Sequence, residues 1–397
     1  MPVFRTSLFF PCIFFVTLQA APCNLVQAVP EPVVQPIVQP PDTTAIEEQI
    51  ASAFGIVIRN EEGVIVGVDL ARERASATDE VLKAALSLPG LKRFRLAGGS
   101  ITAEALAGLK NQRELTELYL QDVPVIDAEW GLILDGLTKL ERLTLRRLPH
   151  LSGSELGGLP RRLPKLKNLA LIEMAPAGEA LAEIAKSELL AALDVRNCGQ
   201  LDAADYQCLG AMKKLVDLKI GGFGVTDEVL AALIPLSGLT GLTIDDAVIT
   251  PGGFDQFVTE SVSADKLHTL VLSRNSALFD AALVSLKKLP KLQRLTVNGM
   301  MVTGSFLDRL AEDEAARPKL QRLSLRKAFL SEEGTAALMK YPELRILDLS
   351  GAALTPEMVE IIASLSRLEE LDLTESQIEE EPLQRLQSMK TLKRLIR

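Results

Sequence analysis

One phrase, L-x-x-L-x-L with Ile, Val or Phe allowed for Leu, begins fourteen times in this chain, at Ile65, Leu91, Leu115, Leu140, Leu166, Leu190, Leu215, Leu239, Leu267, Leu292, Leu320, Leu344, Leu368 and Leu392. Successive starts lie 24 to 28 residues apart. Two copies share an identical pentapeptide, KLQRL, at Lys291–Leu295 and Lys319–Leu323. A length of 397 residues would otherwise suggest two or three domains. A period this narrow implies instead a single array of similar units.

Apolar residues at alternate positions make each phrase a short strand with its leucines turned to one side. A helix start follows many strands, as in Ile101-Thr-Ala-Glu104, Val225-Thr-Asp-Glu228, Ile249-Thr-Pro251, Leu330-Ser-Glu-Glu333 and Leu354-Thr-Pro-Glu357. Thr or Ser caps a helix, Pro suits its first position, and early acids complement its dipole. No strand–loop–helix unit of this size buries its own apolar face, so the units must stack. Stacking predicts a curved parallel sheet on the concave side and short helices on the convex side. At about 4.8 Å per strand, fourteen strands would line an arc of roughly 65 Å. Hydrophobic residues make up 47% of the chain and aromatics 4%, so the core must be mainly aliphatic.

This pattern resembles the leucine-rich repeat family over residues 65–397, most clearly in LRILDLSGAALTPE (Leu344–Glu357) and LEELDLTESQIEE (Leu368–Glu380). The opening GVIVGVDL (Gly63–Leu70) is similar to first repeats of exported bacterial members. The resemblance implies an α/β solenoid of the ribonuclease-inhibitor-like type whose concave face binds other molecules. One departure stands out. The family places Asn or Cys three residues after the last leucine of the phrase, and here only Cys198 and Asn275 comply. Val123, Leu148, Met174, Phe223, Met300 and Ala352 occupy that place elsewhere. Loop backbone groups must then bond water or one another, and looser turns are expected.

Four segments are expected along the chain. Residues 1–28 read as a signal peptide, with Arg5, the apolar run Leu8–Leu18, and small residues at Val26 and Ala28 for cleavage. Pro22 ahead of Cys23 disfavours a lipoprotein. Residues 29–44 form a proline-rich linker, VPEPVVQPIVQPP, suited to extended polyproline II. Residues 45–64, with Ile46, Ile50 and Phe54 at helical spacing, suit an N-terminal cap. The repeats fill residues 65–397, ending in LKRLIR, where Lys393, Arg394 and Arg397 would guard an open strand edge. The protein is thus expected outside the cytoplasm, with no membrane insertion after signal removal. The net charge of −9, or −10 once Arg5 is lost, argues against nucleic acid as a partner.

Catalytic signatures are missing from the sequence. His150 and His268 have no partner that the repeat would bring near. Gly221-Gly-Phe-Gly224 lacks the glycine and lysine of a phosphate loop. Glu379-Glu-Glu381 and Asp245-Asp246 read as solvated charge. Cys198 and Cys208 remain after signal removal, either as two free thiols or as one disulfide within a repeat. Trp130 is expected to pack between helices. No enzyme, cofactor or metal is indicated.

A surface remains. Residues two, four and six places after each starting leucine face outward from the strands. Ten of them are basic (Arg93, Arg95, Arg142, Arg146, Arg196, Lys219, Arg294, Arg322, Arg326, Arg394) and eight acidic (Asp69, Glu117, Asp194, Asp217, Asp245, Asp348, Glu370, Asp372). Arg93, Arg95, Arg142 and Arg146 form one basic patch around Tyr119, and Arg294, Arg322 and Arg326 a second. Asp348, Glu370 and Asp372 form an acidic patch beside it. These residues are the candidate ligand contacts, for an unidentified protein or acidic polymer. The alternative is a self-assembling envelope component that pairs through its C-terminal edge.

Overall fold

A computed structural model describes residues 43–397, apart from residues 126, 176, 177, 200 and 377. The proposed signal peptide and nearly all of the proline-rich linker lie outside the described residues. The fifteen strands of the sheet follow chain order without a crossover. They are β1 (Ile56–Arg59), β2 (Ile65–Leu70), β3 (Arg93–Ala97), β4 (Glu117–Gln121), β5 (Arg142–Arg146), β6 (Asn168–Ile172), β7 (Ala192–Asp194) and β8 (Asp217–Gly221). Then come β9 (Gly241–Asp245), β10 (Thr269–Ser273), β11 (Arg294–Asn298), β12 (Arg322–Ser324), β13 (Ile346–Asp348), β14 (Glu370–Asp372) and β15 (Arg394–Ile396). From β2 onward every pair is parallel, and β1 pairs antiparallel to β2 after the helix Thr44–Ser52. This is a leucine-rich repeat solenoid.

The register explains the phrase. Leu270, Leu295, Leu323 and Leu347 sit opposite one another on successive strands, each 0–1% exposed. The leucines of all repeats join the short helices in one continuous aliphatic core. The helix starts behave as their sequences predict, with one exception. Thr102, Thr250, Ser331 and Thr355 each accept a backbone N–H from their helix. The Thr226 hydroxyl instead donates to Glu228. Asp79, Asp227 and Asp280 add a link between repeats, each accepting the N–H and hydroxyl of the cap-region threonine one repeat later, Thr102, Thr250 and Thr303.

The turns after the strands are regular, not loose. Twelve consecutive repeats place one residue in left-handed backbone there, with φ between 50° and 95°: Gly98, Asp122, Arg147, Glu173, Asn197, Gly222, Asp246, Arg274, Gly299, Lys327, Gly351 and Glu375. In the first eleven the N–H donates to the carbonyl of the residue just before the equivalent position in the next repeat, as Gly98 does to Gln121 and Lys327 to Ser350. This backbone ladder does most of the work of the absent asparagines. Where the family position holds a suitable side chain, it adds to the ladder. Asn275 spans Ile244 O and Ala247 N, the Cys198 thiol donates to Leu171 O, and the Ser376 hydroxyl donates to Leu349 O. Left-handed backbone costs a residue with a Cβ about 1–2 kcal/mol, and glycine escapes that cost. Lys327→Gly should therefore raise stability by about 1 kcal/mol. Its one ion pair among the described residues, Glu375 at 3.8 Å, is exposed and weak. A higher urea midpoint at unchanged m-value is the expected reading; a lower midpoint contradicts it.

Candidate functional site

The outward residues of the strands line up in rows across the open face. The first basic patch is not free positive charge. Glu117 lies in register between Arg93 and Arg142 and pairs with both, at 3.8 and 3.2 Å. Arg95 stacks on Tyr119, 4.7 Å from the ring centroid, and reaches Asp69 at 3.8 Å. Arg146 binds Glu173 through two hydrogen bonds of 3.0 and 2.5 Å. Glu173 belongs to the left-handed turn row, so its place beside Arg146 was invisible in the strand pattern. Burial works against its carboxylate, but hydrogen bonds from Arg147 and Arg146 outweigh this and hold its pKa below the ordinary value.

The acidic patch also has an internal use. Asp348 and Asp372 each accept the N–H and hydroxyl of the residue two places on, Ser350 and Thr374. Asp69 and Asp194 accept the corresponding N–H groups of Ala71 and Arg196. Such local turns compete with the strand ladder, and β7, β13 and β14, which end on such aspartates, are three residues long. Glu370 pairs with Arg394 at 3.6 Å.

The second basic patch differs. Arg294 and Arg322 are partners in register on β11 and β12, and both are exposed. Neither makes an ion pair with any described residue, and Arg326 only brushes Asp348 at 4.0 Å. Seven of the ten cations on this face have an acidic partner. Arg294, Arg322 and Lys219 have none among the described residues. Of the eight acids, Asp217 alone has neither an ion pair nor a side-chain hydrogen bond there. Burial raises its pKa, against the opposing charge of Lys219.

A depression of about 350 Å³ opens on the same face between β3 and β8. Its floor is low because Ala170 and Ala192 are small; Tyr119, Arg95 and Arg142 stand on one side, and Asp194, Asp217 and Lys219 on the other. In the strand pattern Asp194, Asp217 and Lys219 stand only as scattered charges. Small residues at neighbouring outward positions were the signal that could have located the hollow.

Other candidates fall into structural places. Gly221-Gly-Phe-Gly224 closes β8: a Cβ on Gly221 would come 2.2 Å from Asp245 O, and Gly222 is left-handed. Cys198 and Cys208 are free thiols whose pKa burial raises to about 12 and about 11, so both stay protonated and unreactive. Trp130 is fully buried in the helix Asp127–Gly136. Among the described residues no group of His, Cys, Asp and Glu suits a metal ion, and no helix is long and apolar enough to cross a membrane.

No protein-family model and no curated protein matches the chain. Solved structures do. Rad7, in its complex with Elc1 from yeast, matches at 16% identity and a TM-score of 0.52, covering 75% of this chain and 73% of Rad7. An internalin, inlF from Listeria monocytogenes, matches at 19% identity and a TM-score of 0.46, over 88% of this chain and 94% of the internalin. TLR13, in its complex with ssRNA13, matches at 20% identity and 0.44, over 79% of this chain and 44% of TLR13. At these identities the likeness to Rad7 speaks for the fold alone.

Proposed function

We propose that this is an exported, non-catalytic repeat protein that binds a protein partner through its concave face. The carrying observation is the Arg294–Arg322 pair: two adjacent guanidiniums, in register, on a face where most other cations are already matched. Like charges directly opposite each other cost stability. Nothing in the core requires arginine at either site, and the leucines of the two KLQRL segments pack the same way whatever stands between them. A carboxylate-bearing partner would relieve the repulsion and gain bidentate hydrogen bonds. The Rad7 structure, a solenoid solved with a protein partner, is in keeping with this reading. Export rests on residues 1–28 and predicts a mature chain starting near Val29, which intact mass of the secreted product checks.

The double variant Arg294→Glu/Arg322→Glu should weaken binding of a fluorescent hexaglutamate peptide on the order of tenfold or more, since one charge-assisted contact accounts for roughly that factor. Wild-type affinity should also fall as salt is raised. Equal affinity of the double variant and the wild type removes the basis for this site.

A further inference from the structure

We propose that the depression between β3 and β8 receives a single basic side chain, Lys or Arg, of the same protein partner, with Asp217 as its counter-charge. This deepens the reading above and rests on it. Among the described residues, the hollow is the one place on the face where an unmatched acid borders open volume. Its arginines are already committed: Arg142 to Glu117 and Arg95 to Asp69 and the Tyr119 ring. Asp194 is held by Arg196 through bonds of 2.9 and 2.8 Å. Asp217 is left. Its carboxylate is partly buried beside Gly241, which contributes no side chain to cover or bond it.

The shape suits one long chain. The stem of a Lys or Arg can lie over Ala170 and Ala192, burying its methylenes while its charged head reaches Asp217. A volume near 350 Å³ holds such a side chain with some water. Lys219 also lines the hollow, but its flexible, strongly hydrated ammonium can turn outward as the ligand enters. A half-buried carboxylate on a strand has no such freedom.

The geometry then defines the partner further. Asp217 on β8 and the arginine pair on β11 and β12 lie three to four strands apart, about 14–19 Å. The partner should present a cation and an anionic pair at that separation. A synthetic peptide with one Arg and two Glu, separated by four Ser, spans about 17 Å when extended. Both chain directions are made, along with versions carrying Ser for Arg and Ser for Glu. On the wild-type protein the Arg peptide should bind about tenfold tighter than its Ser counterpart. Asp217→Asn should abolish that difference and leave the Glu dependence intact, while Asp265→Asn, at an exposed acid elsewhere, should change neither. If Arg confers no advantage on the wild type while Glu still does, the basic pocket is refuted and the arginine site survives. If neither peptide charge matters, both readings fall.

Stability provides an independent reading. An acid whose folded pKa is raised destabilises the fold when ionised. Asp217→Asn should therefore raise Tm at pH 7, and the gain should shrink as pH falls and Asp217 becomes protonated in both states. A lower Tm for the Asn variant at pH 7 would mean that the ionised carboxylate supports the fold, and that overturns the assignment.

Discussion

Asn275→Ala should cost about 2–4 kcal/mol of folding stability, far more than its neighbours in the turn row suggest. Asn275 is fully buried. Its side-chain amide donates to Ile244 O at 2.9 Å, and its Oδ1 accepts from Ala247 N at 3.0 Å. Alanine leaves the Ala247 N–H in a dry interior without this acceptor and takes one donor from Ile244 O, which costs more than the bonds were worth in water. Cys198→Ala should cost less, because a thiol is a weak donor and it bonds only Leu171 O at closer than van der Waals range. Urea denaturation of the two variants checks the order. Equal losses, or a smaller loss for Asn275→Ala, would show that water or relaxation satisfies these groups.

The contrast between those two positions and the rest marks what the sequence could tell. The fold was legible because it follows from leucines at alternate places repeated at a fixed interval, and burial of those side chains leaves no other arrangement. Thr102, Thr250, Ser331 and Thr355 were equally legible, since capping is a local property of residue type. The left-handed turn row was not. Its members include Gly, Asn, Asp, Glu, Lys and Arg, and what unites them is a backbone hydrogen bond to the next repeat, to which no side chain testifies. Because Glu173 and Arg147 sit in that row, the neutralisation of Arg146 was hidden too. At the candidate site the sequence placed Arg294 beside Arg322, which needed only the repeat register. The same register sets Glu117 between Arg93 and Arg142, but it gave no sign that Asp348 and Asp372 would cap their own strands. Only the two small residues Ala170 and Ala192 marked the hollow, whose size depends on what neighbours leave unfilled.

Leu295→Ala, in the middle of the array, should be the most disruptive single truncation considered, at about 2–5 kcal/mol. Leu295 is fully buried between Leu270 and Leu323 on the flanking strands. A cavity there removes contacts to both neighbours at once. In a solenoid each repeat touches only the next, so stability is a chain of nearest-neighbour couplings. Weakening one central coupling should do more than lower the midpoint: it should let the two sides of the break unfold separately. The chain contains a single tryptophan, and Trp130 lies fully buried on the helix that joins β4 to β5, far to the N-terminal side of Leu295. Its fluorescence reports on that side alone, while far-UV circular dichroism reports on all repeats. For the wild-type protein the two urea transitions should coincide. For Leu295→Ala the dichroism should begin to fall before the tryptophan signal moves. Leu395→Ala, on the half-exposed last strand, should cost less than about 1 kcal/mol and leave the transitions together. Coincident transitions in Leu295→Ala, with only a shifted midpoint, would mean that the array couples over longer range than neighbour contacts provide.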